Sequence, residues 1–166
     1  MRTEVSNAKS SQGSDALTLG VLSDTHGHVD EAARAILGCA DLILHAGDID
    51  GPAVLATLEA MAPVVAVRGN MDRGAWAEHL PDEEIVEAGL IRIYVIHDLT
   101  RISLVPEAAD IRVVVSGHTH RPQIREKDGV LYLNPGSASL PRGGHRATVA
   151  LVEITGQEIA CRHVAF

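Results

Sequence analysis

The chain has 166 residues, a formal charge of −8 and 46% hydrophobic content, which suits one domain with a real core. No apolar run reaches the roughly 18 to 20 residues that cross a bilayer, and the acidic balance argues against a general nucleic-acid surface, which is normally basic. Cys39 and Cys161 give neither a disulfide framework nor a metal spacing, and they suit a reducing cytoplasm.

Residues 1–16, MRTEVSNAKSSQGSDA, are polar and small and lack the apolar stretch of a secretory signal, so they read as a flexible leader. From residue 17 to 166 the pattern is that of a single domain. TLGVLSD reads as a first strand. DEAARAILGCA follows as a helix, with Ala33, Ile36, Leu37 and Ala40 at helical spacing and Asp30 as N-cap. DLILHAGD is a second strand, GPAVLATLEAM a second helix with Pro52 near its start, and PVVAVRGN a third strand. This alternation indicates a parallel sheet with right-handed crossovers. Thereafter EEIVEAG, LIRIYVIHD, DIRVVVSGH, RPQIREKDG and VLYLNPGS come at short spacing. Asp128-Gly129 between RPQIREK and VLYLN is a hairpin signal. HRATVALVEI and QEIACRHVAF close the chain as two more strands. The expectation is an α/β core extended by an antiparallel sheet, as two sheets packed face to face.

Five clusters of metal-binding side chains each follow an apolar run: Asp24-Thr25-His26, Gly47-Asp48, Gly69-Asn70, His97, and Gly117-His118-Thr119-His120. In open α/β sheets ligands bind outside the carboxyl ends of the strands, so these side chains should converge on one sheet edge. Each cluster alone has an ordinary reading. Asp48 could cap the helix beginning near Gly51, and Gly-Asn is common turn chemistry. Together they describe a two-metal site. Asp24 and His26, two apart past a strand, point the same way, as do His118 and His120. The Asp48 carboxylate has two oxygens and can bridge two ions, while the Asn70 amide is a neutral, hard ligand. Three oxygen-type and four imidazole ligands suit Mn, Ni, Fe, Zn or Co better than Mg or Ca.

The order DTH, GD, GN, a lone His and GHTH resembles the calcineurin-like metallophosphoesterase superfamily, over about residues 18 to 165. The short length and the segment LYLNPGS resemble its small prokaryotic phosphodiesterase subgroup, whose fold the eukaryotic retromer scaffold subunit shares. The resemblance implies a four-layer α/β/β/α sandwich of two mixed sheets flanked by helices, as one metallophosphoesterase domain over residues 17–166. It implies two divalent transition-metal ions, Mn foremost. Asp24, His26 and His120 would hold one, Asn70, His97 and His118 the other, with Asp48 bridging. Catalysis would centre on Asp48, Asn70 and His118. A water shared by the two ions would attack a small phosphoester in line, with no covalent enzyme intermediate.

Two positions depart from the family pattern. Met71 stands where many members have a histidine thought to protonate the leaving group, which favours phosphodiesters with good leaving groups. Asp98 replaces a common glycine and either orients an imidazole or caps a turn. The competing reading is a metal-binding interaction scaffold with little catalysis; a monoesterase or nuclease is weakened by the missing acid and the acidic charge. His45, inside the second strand, reads as a buried supporting residue and His28 as a loop residue. His79, His145 and His163 read as surface or strand positions. Arg73 and Arg142 could clamp a phosphate, with a solvated arginine the default. Trp76 could form a rim or a partner contact. The expected location is the cytoplasm, with no membrane partner and with homo-oligomer formation left open.

Overall fold

The computed structural model describes the backbone of residues 2–5 and all of residues 16–166. Strand β1 is Arg2–Val5, β2 Leu17–Leu22, β3 Leu42–His45, β4 Val64–Ala66, β5 Glu83–Ala88 and β6 Ile91–Ile96. Then come β7 Val113–Val115, β8 Pro122–Lys127, β9 Val130–Pro135, β10 Thr148–Thr155 and β11 Glu158–Ala165; helices α1 and α2 span Glu31–Leu37 and Pro52–Glu59. One sheet has five strands in the order β11-β10-β2-β3-β4, the other six in the order β1-β5-β6-β7-β9-β8. Strands β2, β3 and β4 are parallel, as are β6, β7 and β9, while β10 and β8 run antiparallel to their neighbours. Both sheets are therefore mixed.

Period-two alternation decides what faces what. Leu19, Val21, Leu42 and Leu44 point between the sheets, onto Val86, Ile93, Val95, Val113 and Val115. The alternate residues Leu22 and Ile43 face the helices, meeting Ala33, Leu37, Val54 and Leu58. Fully burying each such side chain stabilises by about 1.5–3 kcal/mol. Gly20 lets α1 approach closely: a Cβ there would lie 2.6 Å from Leu37 Cδ2. The second sheet's outer face is covered by 3-10 turns at Leu99–Arg101 and Glu107–Ala109, with Ile102, Leu104 and Ala109 packed on Tyr94, Ile111 and Val114. The four-layer sandwich is thus present, with helices on one side and a thinner layer on the other.

Asp30 caps α1 as expected, accepting from the Ala32 N–H at 2.8 Å. Helix α2 starts differently: Gly51 holds its N-cap position without a side-chain cap and Pro52 follows, an arrangement suited to a proline's missing donor. Asp48 is therefore free of capping duty. Asp128 and Gly129 both adopt positive φ, 53° and 75°, and Lys127 faces Val130 across the two-residue turn, as a primed hairpin requires.

Most of the expected leader, residues 1 and 6–15, lies outside the described residues. Its described part is not a free tail: β1 pairs parallel with β5, Arg2 opposite Ile85. Without β1, β5 would be an edge strand with an unpaired ladder, a surface that readily accepts another segment.

Candidate metal centre

The carboxyl ends of β2, β3 and β4 lie on the same edge of the sandwich as those of β6 and β7, and every predicted ligand follows one of them. Past the strand ends the loops stay tied to one another: Asp24 N–H donates to Gly47 O at 3.0 Å and His26 N–H to Asp48 O at 3.1 Å. Ligand-capable atoms of Asp24, His26, Asp48 and His120 lie within 4.8 Å of one another. His26 Nε2 is 3.4 Å from His120 Nε2, which is 3.2 Å from Asp24 Oδ1. The neighbouring group is built on Asn70 Oδ1, 3.1 Å from His97 Nε2 and 3.0 Å from His118 Nδ1. Asp48 Oδ2 is 3.5 Å from His97 Nε2, so its carboxylate belongs to both groups. All seven predicted ligands are brought together.

The tautomers follow from the partners. His120 Nδ1 lies 2.6 Å from the Leu140 carbonyl and His97 Nδ1 2.7 Å from that of Ala46. A carbonyl only accepts, so each Nδ1 carries a proton and, whenever the ring is neutral, each Nε2 turns a lone pair inward. Asp24 Oδ1 is buried and accepts no hydrogen bond. Lone pairs from imidazoles and carboxylates thus face one another at short range, an arrangement that calls for positive charge between them. The donor set fits divalent transition metals.

Backbone strain concentrates here. Asp24, His26, Asp48, His118 and His120 all have positive φ, between 45° and 69°, a region uncommon for L-residues and entered most often by Asn, Asp and His. The preceding glycines are required by close approach. A Cβ on Gly69 would lie 2.2 Å from Asp48 Oδ1, and one on Gly117 1.9 Å from Ser23 Oγ. At Gly117 the two sheets meet, while Gly69 brings together two neighbouring loops of one sheet.

Several supporting residues escaped the sequence reading. Asp72 is buried; its Oδ1 accepts from the N–H of Ile49 and Asp50 at 2.8 and 2.7 Å, and its Oδ2 from Gly69 N–H at 2.8 Å. It binds the Asp48 loop to the Asn70 loop. Asn134 Nδ2 donates to Gly117 O at 2.7 Å and its Oδ1 accepts from Gly136 N–H at 2.9 Å. Ser137 and Ser139 hydroxyls donate to Asp24 O at 2.8 and 3.0 Å. The segment LYLNPGS is visible in sequence, but nothing local shows that it braces Asp24 and the Gly117–Thr119 turn from across the fold. His45, fully buried, accepts from Gly47 N–H through Nδ1 at 3.2 Å and donates through Nε2 to Thr25 Oγ1 at 2.9 Å. That is the supporting role expected of it. Burial, helped by the neighbouring His97, lowers its pKa to about 3 and keeps it neutral.

Burial raises the Asp24 carboxyl above its ordinary value despite the Ser23 hydroxyl bond. For Asp48 burial acts in the same direction, yet the hydrogen bond from His97 in its charged form, protonated at Nε2 as well, and that from the Met71 N–H prevail and hold it below the usual carboxylate range. His97 is raised: burial opposes the charge, and the bond and attraction to Asp48 overcome it.

A family model described as the calcineurin-like phosphoesterase superfamily domain matches residues 17–157. The chain belongs to that superfamily. A probable metallophosphoesterase of Methanothermobacter thermautotrophicus is 38% identical over 138 residues, 76% of this chain and 80% of its own. A phosphodiesterase of Methanocaldococcus jannaschii is 28% identical over 138 residues, 72% of this chain and 83% of its own. A predicted phosphoesterase from Streptococcus pneumoniae superposes with a TM-score of 0.74 at 27% identity, over 91% of this chain and 90% of that one. Vps29 of Entamoeba histolytica shares the fold, with a TM-score of 0.73 at 21% identity over 90% of this chain and 99% of its own.

Within this calcineurin-like phosphoesterase the departures resolve as follows. Asp98 caps a turn: its Oδ1 accepts from Thr100 N–H at 2.9 Å and Thr100 Oγ1 at 2.8 Å. Met71 donates its N–H to Asp48 Oδ1 at 2.8 Å and leaves its side chain 41% exposed at the site. Trp76 packs with Leu80 on the helix-side core, not as an exposed rim. His28, His79, His145, Arg73 and Arg142 are exposed, and His163 Nε2 reaches Asn134 O at 2.8 Å. A cavity of about 600 Å³ opens beside Asn70, His97 and His118, with Arg68, Asp98 and Arg101 in its wall.

Proposed function

We propose that this chain is a phosphodiesterase that uses two divalent transition-metal ions, Mn best suited among them, to hydrolyse a small phosphoester in the cytoplasm. The observation that carries the reading is the facing of inward lone pairs from His120, His97, Asp24 and Asp48 at one edge shared by both sheets. Asp24, His26 and His120 would hold one ion and Asn70, His97 and His118 the other, with Asp48 touching both. When bound, such a pair supplies an acidified water and neutralises charge building on the phosphoryl oxygens. Asn70 and His118 are exposed toward the large cavity, so they would meet the phosphoryl group and orient it, while the buried Asp24 and His120 hold their geometry from behind. Met71 has no proton to give, which directs the enzyme to diesters with good leaving groups; a missing general acid costs roughly 10² to 10⁴ in rate for poor ones.

The second reading, an interaction scaffold that binds metal without much turnover, draws on the same exposed Met71. Metal-stripped protein assayed on bis(4-nitrophenyl) phosphate, with Mn²⁺ or Ni²⁺ restored, separates the two. Turnover that returns with the ion supports the enzyme. A folded, metal-loaded protein that hydrolyses nothing would establish the scaffold.

A further inference from the structure

Among the depressions around the cluster, two of similar size differ in electrical character. In the wall of the cavity beside Asn70, Arg68 is already paired with Asp82 at 2.7 Å, and Glu83 and Asp98 outnumber the remaining cation, Arg101. The second depression, about 590 Å³, is lined by Thr119, Arg121, Pro122, Gln123, Arg142 and His145, with no carboxylate among them. Among the described residues neither Arg121 nor Arg142 forms an ion pair.

This groove adjoins the candidate metal centre through Thr119, which lies between His118 and His120. Arg142 N–H donates to His120 O at 3.4 Å, and Arg121 directly follows His120. Gly143, at φ 67°, turns the loop back so that Arg121 Nε stands 3.5 Å and His145 Cδ2 3.7 Å from where a Cβ on Gly143 would be. The turn thus gathers Arg121 and His145 at one place, with Arg142 in the same wall. Guanidinium forks match phosphate oxygens with paired, charge-assisted hydrogen bonds.

We infer that the Arg121–Arg142 groove binds a second phosphate group of the substrate, remote from the bond that is cut, so that the favoured substrate is a phosphodiester carrying an additional phosphomonoester. This rests on the phosphodiesterase reading above. Arg121 and Arg142 are positioning residues: they touch the remote phosphate and leave the reacting atoms to the metal centre.

The test compares thymidine 5′-(4-nitrophenyl phosphate) with the same compound phosphorylated at the 3′ oxygen. The reacting diester is identical in both. The added phosphate is expected to lower KM about tenfold with little change in kcat, as about 1.4 kcal/mol of binding requires. Arg121→Gln and Arg142→Gln should remove that advantage and leave hydrolysis of the plain diester unchanged. Equal KM values for the two probes, or variants that slow both alike, would overturn the proposal. Calorimetric titration of thymidine 3′,5′-bisphosphate against thymidine 5′-monophosphate reads the groove without turnover. If neither ester is cleaved but the bisphosphate binds tighter, with the difference lost in Arg142→Gln, the groove stands and the catalytic reading falls. If the two nucleotides bind equally, the groove falls whatever the turnover.

Discussion

The two halves of the candidate metal centre are built differently. Asp24 and His120 are buried, and each is held by partners from elsewhere in the chain: Ser137 and Ser139 on the Asp24 carbonyl, Leu140 on the His120 ring. On the other side Asn70 and His118 are exposed, and of the three only His97 is buried and fixed by a backbone carbonyl. Apart from the partly exposed His26, one half is therefore part of the core and the other part of a cavity wall. Rigid support belongs where geometry must persist through every cycle, and openness where substrate enters and leaves.

Substitutions can break this contrast in graded fashion. Asp48 serves both halves, so Asp48→Asn should have the largest effect, lowering metal-dependent diester hydrolysis by more than about 100-fold; steady-state kinetics at saturating Mn²⁺ read it. The next test needs no metal at all. His120→Ala removes a buried ring and leaves the Leu140 carbonyl without its donor, and should destabilise the metal-free protein by about 2–4 kcal/mol. His118→Ala, at an exposed position, should stay within about 0.5 kcal/mol of the parent. Urea denaturation of both with chelator present decides; equal losses would end the distinction between a core half and a wall half.

A third prediction concerns pH. The folded pKa of His45, about 3, lies below its ordinary value of 6.5. On acidification the unfolded chain takes up this proton first, so the stability is complete above pH 6.5 and falls as pH drops toward 3. By pH 4.5 the loss is about 2–3 kcal/mol relative to pH 7. His45→Gln, which has no proton to take up, should be flatter by that amount in urea melts at the two pH values. The smallest expected effect is that of Asn134→Ala. It leaves the Gly117 carbonyl and Gly136 N–H unpaired, costing about 1–2 kcal/mol in denaturation midpoints.

Much of the fold could be read because chemistry and pattern coincide along the chain. Each proposed ligand group follows directly on a short apolar run, so Asp24, Asp48, Asn70, His97 and His118 mark both a strand end and a candidate site. Asp30 and Asp128-Gly129 likewise announce a helix start and a hairpin through local backbone preferences. The supports are a different matter. Asp72 looks like any turn aspartate, and its three backbone partners lie in two loops that only the folded sheet brings together. Asn134 and Ser137 act on residues more than a dozen positions away, and no periodicity encodes that. The pairing of β1 with β5 was missed for a related reason: a strand that joins a sheet edge from far off carries no local signal of its partner.

The distribution of ligands over the two sheets has a thermodynamic consequence. Asp24, His26, Asp48 and Asn70 follow strands of one sheet, His97, His118 and His120 strands of the other. Any ion seated among them would act as a clasp across the sandwich, bound by the closed form and released when the layers part. At a free concentration of 100 times its dissociation constant, one such ion adds about 2.7 kcal/mol to the unfolding free energy. Chelation should accordingly lower the melting temperature and speed hydrogen exchange in β2 and β7 together, since loosening the clasp frees both leaves of the sandwich at once.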